Sequence, residues 1–150
     1  MKETTLCYLE NNGRYLMMLR NKKKNDPNKN KWIGVGGKLN KGETPKDCAK
    51  REIFEETGII PKNLKYAGKV YFVSDVWEDE LMHLFVADTD CDSVTPCAEG
   101  TLKWIKKEDI LSLNLWEGDK VFLKRLIGCN KDFFDITLKY SGESLVSVKE

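Results

Sequence analysis

The sequence predicts an α/β chain in which a mixed β-sheet lies between helices. Three observations carry that expectation. Strand-length runs of apolar, β-branched and aromatic residues come in pairs joined by turn residues. Two segments with helix start and stop signals fall between those pairs. No repeat, low-complexity stretch or linker divides the 150 residues, a length that suits a single domain, 1–150, with a real core.

Taken in order, residues 5–9 and 15–20 read as a hairpin turned at Asn11-Asn12-Gly13. Residues 21–31 are polar, basic and rich in Asn, which predicts a loop with freedom to move. A Gly-rich segment follows, Trp32-Ile33-Gly34-Val35-Gly36-Gly37-Lys38. Thr44-Pro45-Lys46-Asp47 is a helix start, with Thr44 as cap and Pro45 in the first helical position. Gly58 is a left-handed stop, so the helix is predicted over 45–57. Residues 69–76 and 81–87 form a second predicted hairpin across the acidic turn 77–80. A turn-rich connection over 88–100 leads to a short strand at 101–105. Val121, Phe122, Leu126 and Ile127 mark a second helix from about residue 116 to 127, ended by Gly128. Residues 133–140 and 144–148 give a last hairpin at Ser141-Gly142-Glu143.

Composition excludes several classes. A net charge of +1 gives no global electrostatic case for binding DNA or RNA. No apolar run approaches membrane-spanning length, and the polar opening Met1-Lys2-Glu3-Thr4-Thr5 does not resemble a secretion signal. The five cysteines, Cys7, Cys48, Cys91, Cys97 and Cys129, are odd in number and contain no C-x-x-C pair. They are expected to be reduced thiols of a cytoplasmic protein, outside any disulfide frame or zinc site. The single histidine, His83, sits in a strand-like run and is expected on a strand face, which leaves Ser-His-Asp chemistry unsupported.

The chemistry concentrates in GKLNKGETPKDCAKREIFEETGI, residues 37–59. Gly37, Glu43, Arg51, Glu52, Ile53, Glu55, Glu56, Gly58 and Ile59 fit G-x5-E-x7-R-E-U-x-E-E-x-G-U, with U aliphatic. Chance agreement is on the order of once in a few billion starting points at average residue usage. Glu52, Glu55 and Glu56 share one helix face and repel one another by a few tenths of a kcal/mol per exposed pair. A hard cation such as Mg2+ or Mn2+ would relieve that repulsion and also bind phosphates. The glycines before the helix allow bare backbone to approach a ligand, Lys38 adds positive charge, and Arg51 could orient a carboxylate through a bidentate contact.

This motif is that of the Nudix hydrolase superfamily, which the chain resembles. Trp32-Ile33-Gly34-Val35-Gly36-Gly37-Lys38-Leu39, Glu99-Gly100-Thr101-Leu102-Lys103-Trp104, Trp116-Glu117-Gly118-Asp119 and the tail 132–145 are similar to the MutT/MutX branch, the bacterial 8-oxo-dGTP diphosphatases. The resemblance implies an α/β/α sandwich that hydrolyses 8-oxo-dGTP to 8-oxo-dGMP and pyrophosphate with Mg2+, Mn2+ being able to substitute. It implies metal ligation by Glu52, Glu55, Glu56, Glu99 and the Gly36 carbonyl. Glu55 or Glu56, then Glu99, would serve as general base, with Glu52 and Arg51 in the same catalytic group. Arg20 and Lys38 would meet the phosphates, and Trp116 and Asp119 the base. Animal relatives carry Asn just after the Trp of the Gly-rich segment, where this chain has Ile33, and paired acids where it has Gly118-Asp119.

The expected partner is a nucleoside triphosphate, with no nucleic acid and no membrane, acting on a monomer or homodimer. The rival activities are a broader (d)NTP pyrophosphatase and an ADP-ribose or dinucleoside polyphosphate hydrolase. A nucleotide sensor without catalysis is the alternative from another class.

Overall fold

The computed structural model describes residues 1–128 and 130–150; Cys129 lies outside the described residues. The elements run β1 (Lys2–Asn11), β2 (Arg14–Leu19), β3 (Trp32–Ile33), α1 (Pro45–Thr57), β4 (Lys62–Ser74), β5 (Glu80–Asp88), β6 (Thr101–Lys106), α2 (Lys107–Ile110), α3 (Glu117–Ile127), β7 (Phe134–Ser141) and β8 (Ser144–Lys149). The strands form a mixed sheet in the order β3-β2-β1-β5-β4-β7-β8, with β6 paired to β2. β1 runs parallel to β5, and β4 parallel to β7; the other pairs are antiparallel.

Alternation along the central strands builds a core on each face. Tyr8 on β1, Met17 on β2 and Leu84 on β5 pack with Phe122 and Leu123 of α3. Cys7, Leu9, Leu16 and Phe85 point the other way and pack with Ala49 and Ile53 of α1. Each fully buried large apolar side chain contributes roughly 1.5–3 kcal/mol from area removed from water. The sheet therefore lies between α1 and α3, the sandwich expected from the sequence. Among the described residues no helix is long and apolar enough to cross a membrane. No disulfide joins the described cysteines. His83 is buried on β5 between Tyr66 and Glu3, whose carboxylate lies 2.9 Å from Nε2.

Four features differ from the sequence reading. The first hairpin pairs only at its turn end, Glu10 with Tyr15 and Asn11 with Arg14. Beyond that the two strands diverge, and the Gly-rich segment enters the gap: β3 pairs with β2 while Val35 and Lys38 bridge to Cys7 and Thr4 of β1. Second, β4 begins at Lys62, seven residues before the expected start at 69. Its first half is lysine-rich and carries register shifts, which hide the strand period. Third, a short additional helix, α2, follows β6. The loop 21–31 is also fastened rather than free: Arg20 and Lys31, Asn30 and Arg20, and Asn114 and Asn30 are joined by hydrogen bonds of 2.7–3.0 Å.

Candidate active site

The site begins where the Gly-rich segment meets β1. Thr5 N–H donates to the Gly37 carbonyl at 2.8 Å and Cys7 N–H to the Val35 carbonyl at 2.6 Å. This leaves no room at Gly36, where a Cβ would stand 2.0 Å from the Thr5 carbonyl oxygen. The Gly36 N–H instead donates to Glu56 Oε2 at 3.3 Å. Among the described hydrogen bonds none ends on the Gly36 carbonyl, which leaves that oxygen available to a cation. At Gly37 a Cβ would lie 2.5 Å from the carboxyl carbon of Glu52, so the loop and the motif helix are packed backbone against carboxylate.

Local signals place α1. Thr44 Oγ1 accepts from Asp47 N–H at 3.1 Å, Pro45 occupies the first turn, and Gly58 ends the helix at φ 77°. Arg51 then ties helix to loop. Its Nε and Nη2 donate to Glu43 at 2.8 and 2.9 Å, Nη1 donates to Glu52 at 2.8 Å and to Glu55 at 3.3 Å, and Nη2 also reaches the Lys38 carbonyl at 3.2 Å. The bidentate partner is thus Glu43, across the loop, while Glu52 takes a single bond. Hydrogen bonds from Arg51 and from Asn40 N–H hold the Glu43 carboxyl down at about 2.

Glu56 has the opposite environment. It is buried, and burial first, then the charges of Glu99 and Glu52, push its carboxyl up to about 8. Glu99 in turn takes Arg20 Nη1 at 3.4 Å and Lys23 Nζ at 3.5 Å. Glu52, Glu56 and Glu99 present hard oxygens whose charges raise the cost of ionising Glu56, a donor set that could hold Mg2+ or Mn2+. As the side chains lie, no three Asp, Glu, His or Cys groups among the described residues converge into a ready cage. Arg51 holds Glu52 Oε1 and Glu55, and Gly36 N–H holds Glu56 Oε2, so a cation would have to draw the carboxylates together.

A cavity of about 390 Å³ joins this end of the molecule to the second candidate region. Gly36, Gly37, Glu56 and Arg20 line it, as do Trp116 and Asp119. Lys31 Nζ lies 5.1 Å from the Trp116 ring, and Trp77 and Tyr140 meet that ring edge to face at 5.7 Å. Asp119 sits in the first turn of α3 yet is buried; burial and then Glu80 push its carboxyl up to about 7, against the opposing pull of Lys31. Tyr140 Oη accepts from Gly118 N–H at 2.7 Å and anchors that turn to β7.

Not every expected residue reaches the cavity. Lys38 is exposed and enters the network through its backbone carbonyl. The Glu55 side chain is 56% exposed at the rim. Arg20 lines the cavity with its Nε held by Asp26 at 2.6 Å. Asn28 and Trp77 also line the cavity, and Asp26 is buried behind Arg20. All three lie in polar turns, where nothing in residue spacing marks such a side chain.

Comparison with known proteins gives a consistent result. A family model, the NUDIX domain, matches residues 2–126. The chain is 35% identical over 99 residues to the oxidized purine nucleoside triphosphate hydrolase of Mus musculus. That alignment covers 65% of this chain and 63% of the mouse protein, so the chain spans less than two thirds of that relative. It is 29% identical over 147 residues to the protein of the same description from Danio rerio, covering 97% of this chain and 90% of the relative. A MutT protein from Bacillus halodurans superposes with a TM-score of 0.87 at 25% identity, over 99% of this chain and 97% of that one.

Proposed function

The chain belongs to the NUDIX domain family, and from that premise we propose that it is a Mg2+-dependent nucleoside triphosphate pyrophosphohydrolase. Its preferred substrate is 8-oxo-dGTP, cleaved to 8-oxo-dGMP and pyrophosphate to cleanse the cytoplasmic nucleotide pool. The observation that carries the reading is the single cavity that joins Glu56 and the Gly36-Gly37 backbone to Trp116 and Asp119. Its volume lies within the range of small-molecule sites, and its two ends differ in chemistry as the ends of a nucleotide do. The activity for which the mouse and zebrafish relatives are named supports the choice of oxidised purine.

Glu52, Glu55, Glu56, Glu99 and the Gly36 carbonyl would hold the metal. When bound, Mg2+ supplies neutralisation of the triphosphate and easier deprotonation of water. The protein's own groups do the rest. Arg51, itself fixed by Glu43, holds Glu52 and Glu55 on one side of the helix. Arg20, which lines the cavity, meets phosphate oxygens, while exposed Lys38 adds positive charge outside it. Glu56, buried in the cavity wall, is the group best placed to take the proton of the attacking water, ahead of exposed Glu55. Trp116 stacks on the base, and Asp119 hydrogen-bonds its edge, accepting when ionised and donating when protonated.

Steady-state hydrolysis of 8-oxo-dGTP, dGTP, dATP, dCTP, dTTP and ADP-ribose tests the reading. A higher kcat/KM for 8-oxo-dGTP than for the other five is expected. Flat activity across triphosphates would make this a general pyrophosphatase, and activity on ADP-ribose alone would overturn the substrate class. Asp119→Ala is expected to lower kcat/KM for purine triphosphates ten- to a hundredfold, as about 1–3 kcal/mol of base discrimination is lost. It should leave dCTP turnover nearly unchanged; equal losses on dCTP and dGTP would remove Asp119 from the base site.

A further inference from the structure

We infer that Asn28 reads the edge of a guanine-type base by donating its amide –NH2 to a ring acceptor, with Asp26 as the residue that positions it. This deepens the nucleotide reading of the cavity and rests on it. Asn28 is half-buried and lines the cavity beside Trp116. Its side-chain orientation follows from chemistry. The Trp116 indole N–H can only donate, and it lies 2.8 Å from the Asn28 amide oxygen. The other half of the amide must then be the –NH2, and among the described residues no acceptor receives it.

The backbone at Asn28 is fixed as firmly. Its N–H donates to Asp26 Oδ1 at 3.0 Å, and its carbonyl accepts from Lys31 N–H at 2.9 Å. Asp26 has a side chain only 1% exposed, and its second oxygen takes Arg20 Nε at 2.6 Å. Arg20 continues to Glu99. A buried carboxylate thus holds two cavity-lining residues, Asn28 through its backbone and Arg20 through its guanidinium. Such an amide is a preorganised donor, the kind of group that discriminates because it is left unpaired by the wrong ligand. Asp119 supplies an acceptor in the same cavity. An acceptor together with a donor fits a guanine-type base, oxidised or not, whose O6 accepts from the amide and whose N1–H and exocyclic –NH2 donate to the carboxylate.

The test is binding of dGMP and dCMP without metal, by isothermal titration calorimetry, to the unmodified protein, Asn28→Asp and Asn28→Ala. Asn28→Asp keeps an oxygen for Trp116 while replacing the donor by an acceptor, and dCMP controls for the added charge. The unmodified protein should bind dGMP more tightly than dCMP. Each variant should lose about tenfold or more in dGMP affinity with dCMP affinity changed less than about twofold. Equal losses for both nucleotides, no loss in either variant, or no preference in the unmodified protein would each overturn the inference. Failure of the enzymatic reading looks different: no triphosphate is turned over with Mg2+ while selective dGMP binding persists.

Discussion

Glu56→Gln is expected to cut kcat by about 10²–10⁴-fold while raising the melting temperature of the metal-free protein at pH 8 and above. The first effect follows from removing a buried group that lines the cavity and can take a proton. The second follows from the cost of that group. Its carboxyl is held at about 8 against an ordinary value of 4.5, chiefly by burial, then by Glu99 and Glu52. Below pH 4.5 it is protonated whether the chain is folded or not, and the stability contribution of the raised value is fully present. As pH rises towards 8, folding must retain a proton that the unfolded chain releases, so stability falls. Above 8 the buried charge is carried in full. A glutamine accepts the same Gly36 N–H and brings no charge to face Glu52 and Glu99. The variant should therefore be more stable at pH 9 by a few kcal/mol, up to about 5, with the gap closing by pH 4.5. Thermal melts with chelator across that range read it directly. A lower melting temperature for the variant at pH 9 would show that Glu56 is not a strained acid.

Gly36→Ala is expected to destabilise the protein by about 2–4 kcal/mol and to abolish turnover. The added Cβ would meet the Thr5 carbonyl oxygen at 2.0 Å, the Thr5 carbonyl carbon at 2.7 Å and Leu6 Cα at 2.9 Å. All three are backbone atoms of β1, so no side chain can swing away. Relief requires the Gly-rich segment to leave β1, which breaks the Thr5–Gly37 and Cys7–Val35 hydrogen bonds and moves Glu56 from its Gly36 partner. Gly42→Ala is the control. It has open space around its Cβ position but a φ of 78°, so it should lose only about 1 kcal/mol. Urea unfolding of the two variants reads the difference, and equal losses would contradict the close approach.

How much of this was legible beforehand depended on whether a residue's role is local. α1 could be bounded because Thr44, Pro45 and Gly58 act within one turn of the helix ends. The carboxylate face followed from the spacing of Glu52, Glu55 and Glu56. The partner of Arg51 did not: Glu43 lies eight residues earlier, across a loop whose path only the folded chain determines. Residues 32–33 carry no strand period, since a two-residue strand forms by filling the gap between β1 and β2. The first half of β4 is hidden by Lys62 and Lys65 and by its bulges. Trp116 and Asp119 were marked by resemblance, yet the burial of Asp119 and its raised carboxyl come from α3 packing under Tyr140. Asn28 and Asp26 could not be chosen among the polar residues of loop 21–31, because their importance lies in contacts with Trp116 and Arg20 rather than in their neighbours along the chain.

The central claim is that these carboxylates and this cavity hydrolyse a nucleoside triphosphate between its α- and β-phosphates with the help of a divalent cation. Its most direct test is chromatographic identification of the products of 8-oxo-dGTP and dGTP, with Mg2+ and with chelator. Monophosphate and pyrophosphate are expected in equal amounts, with turnover lost in chelator and cut by about 10²–10⁴-fold in Glu56→Gln. Diphosphate and orthophosphate as products, or unchanged turnover in chelator, would contradict it.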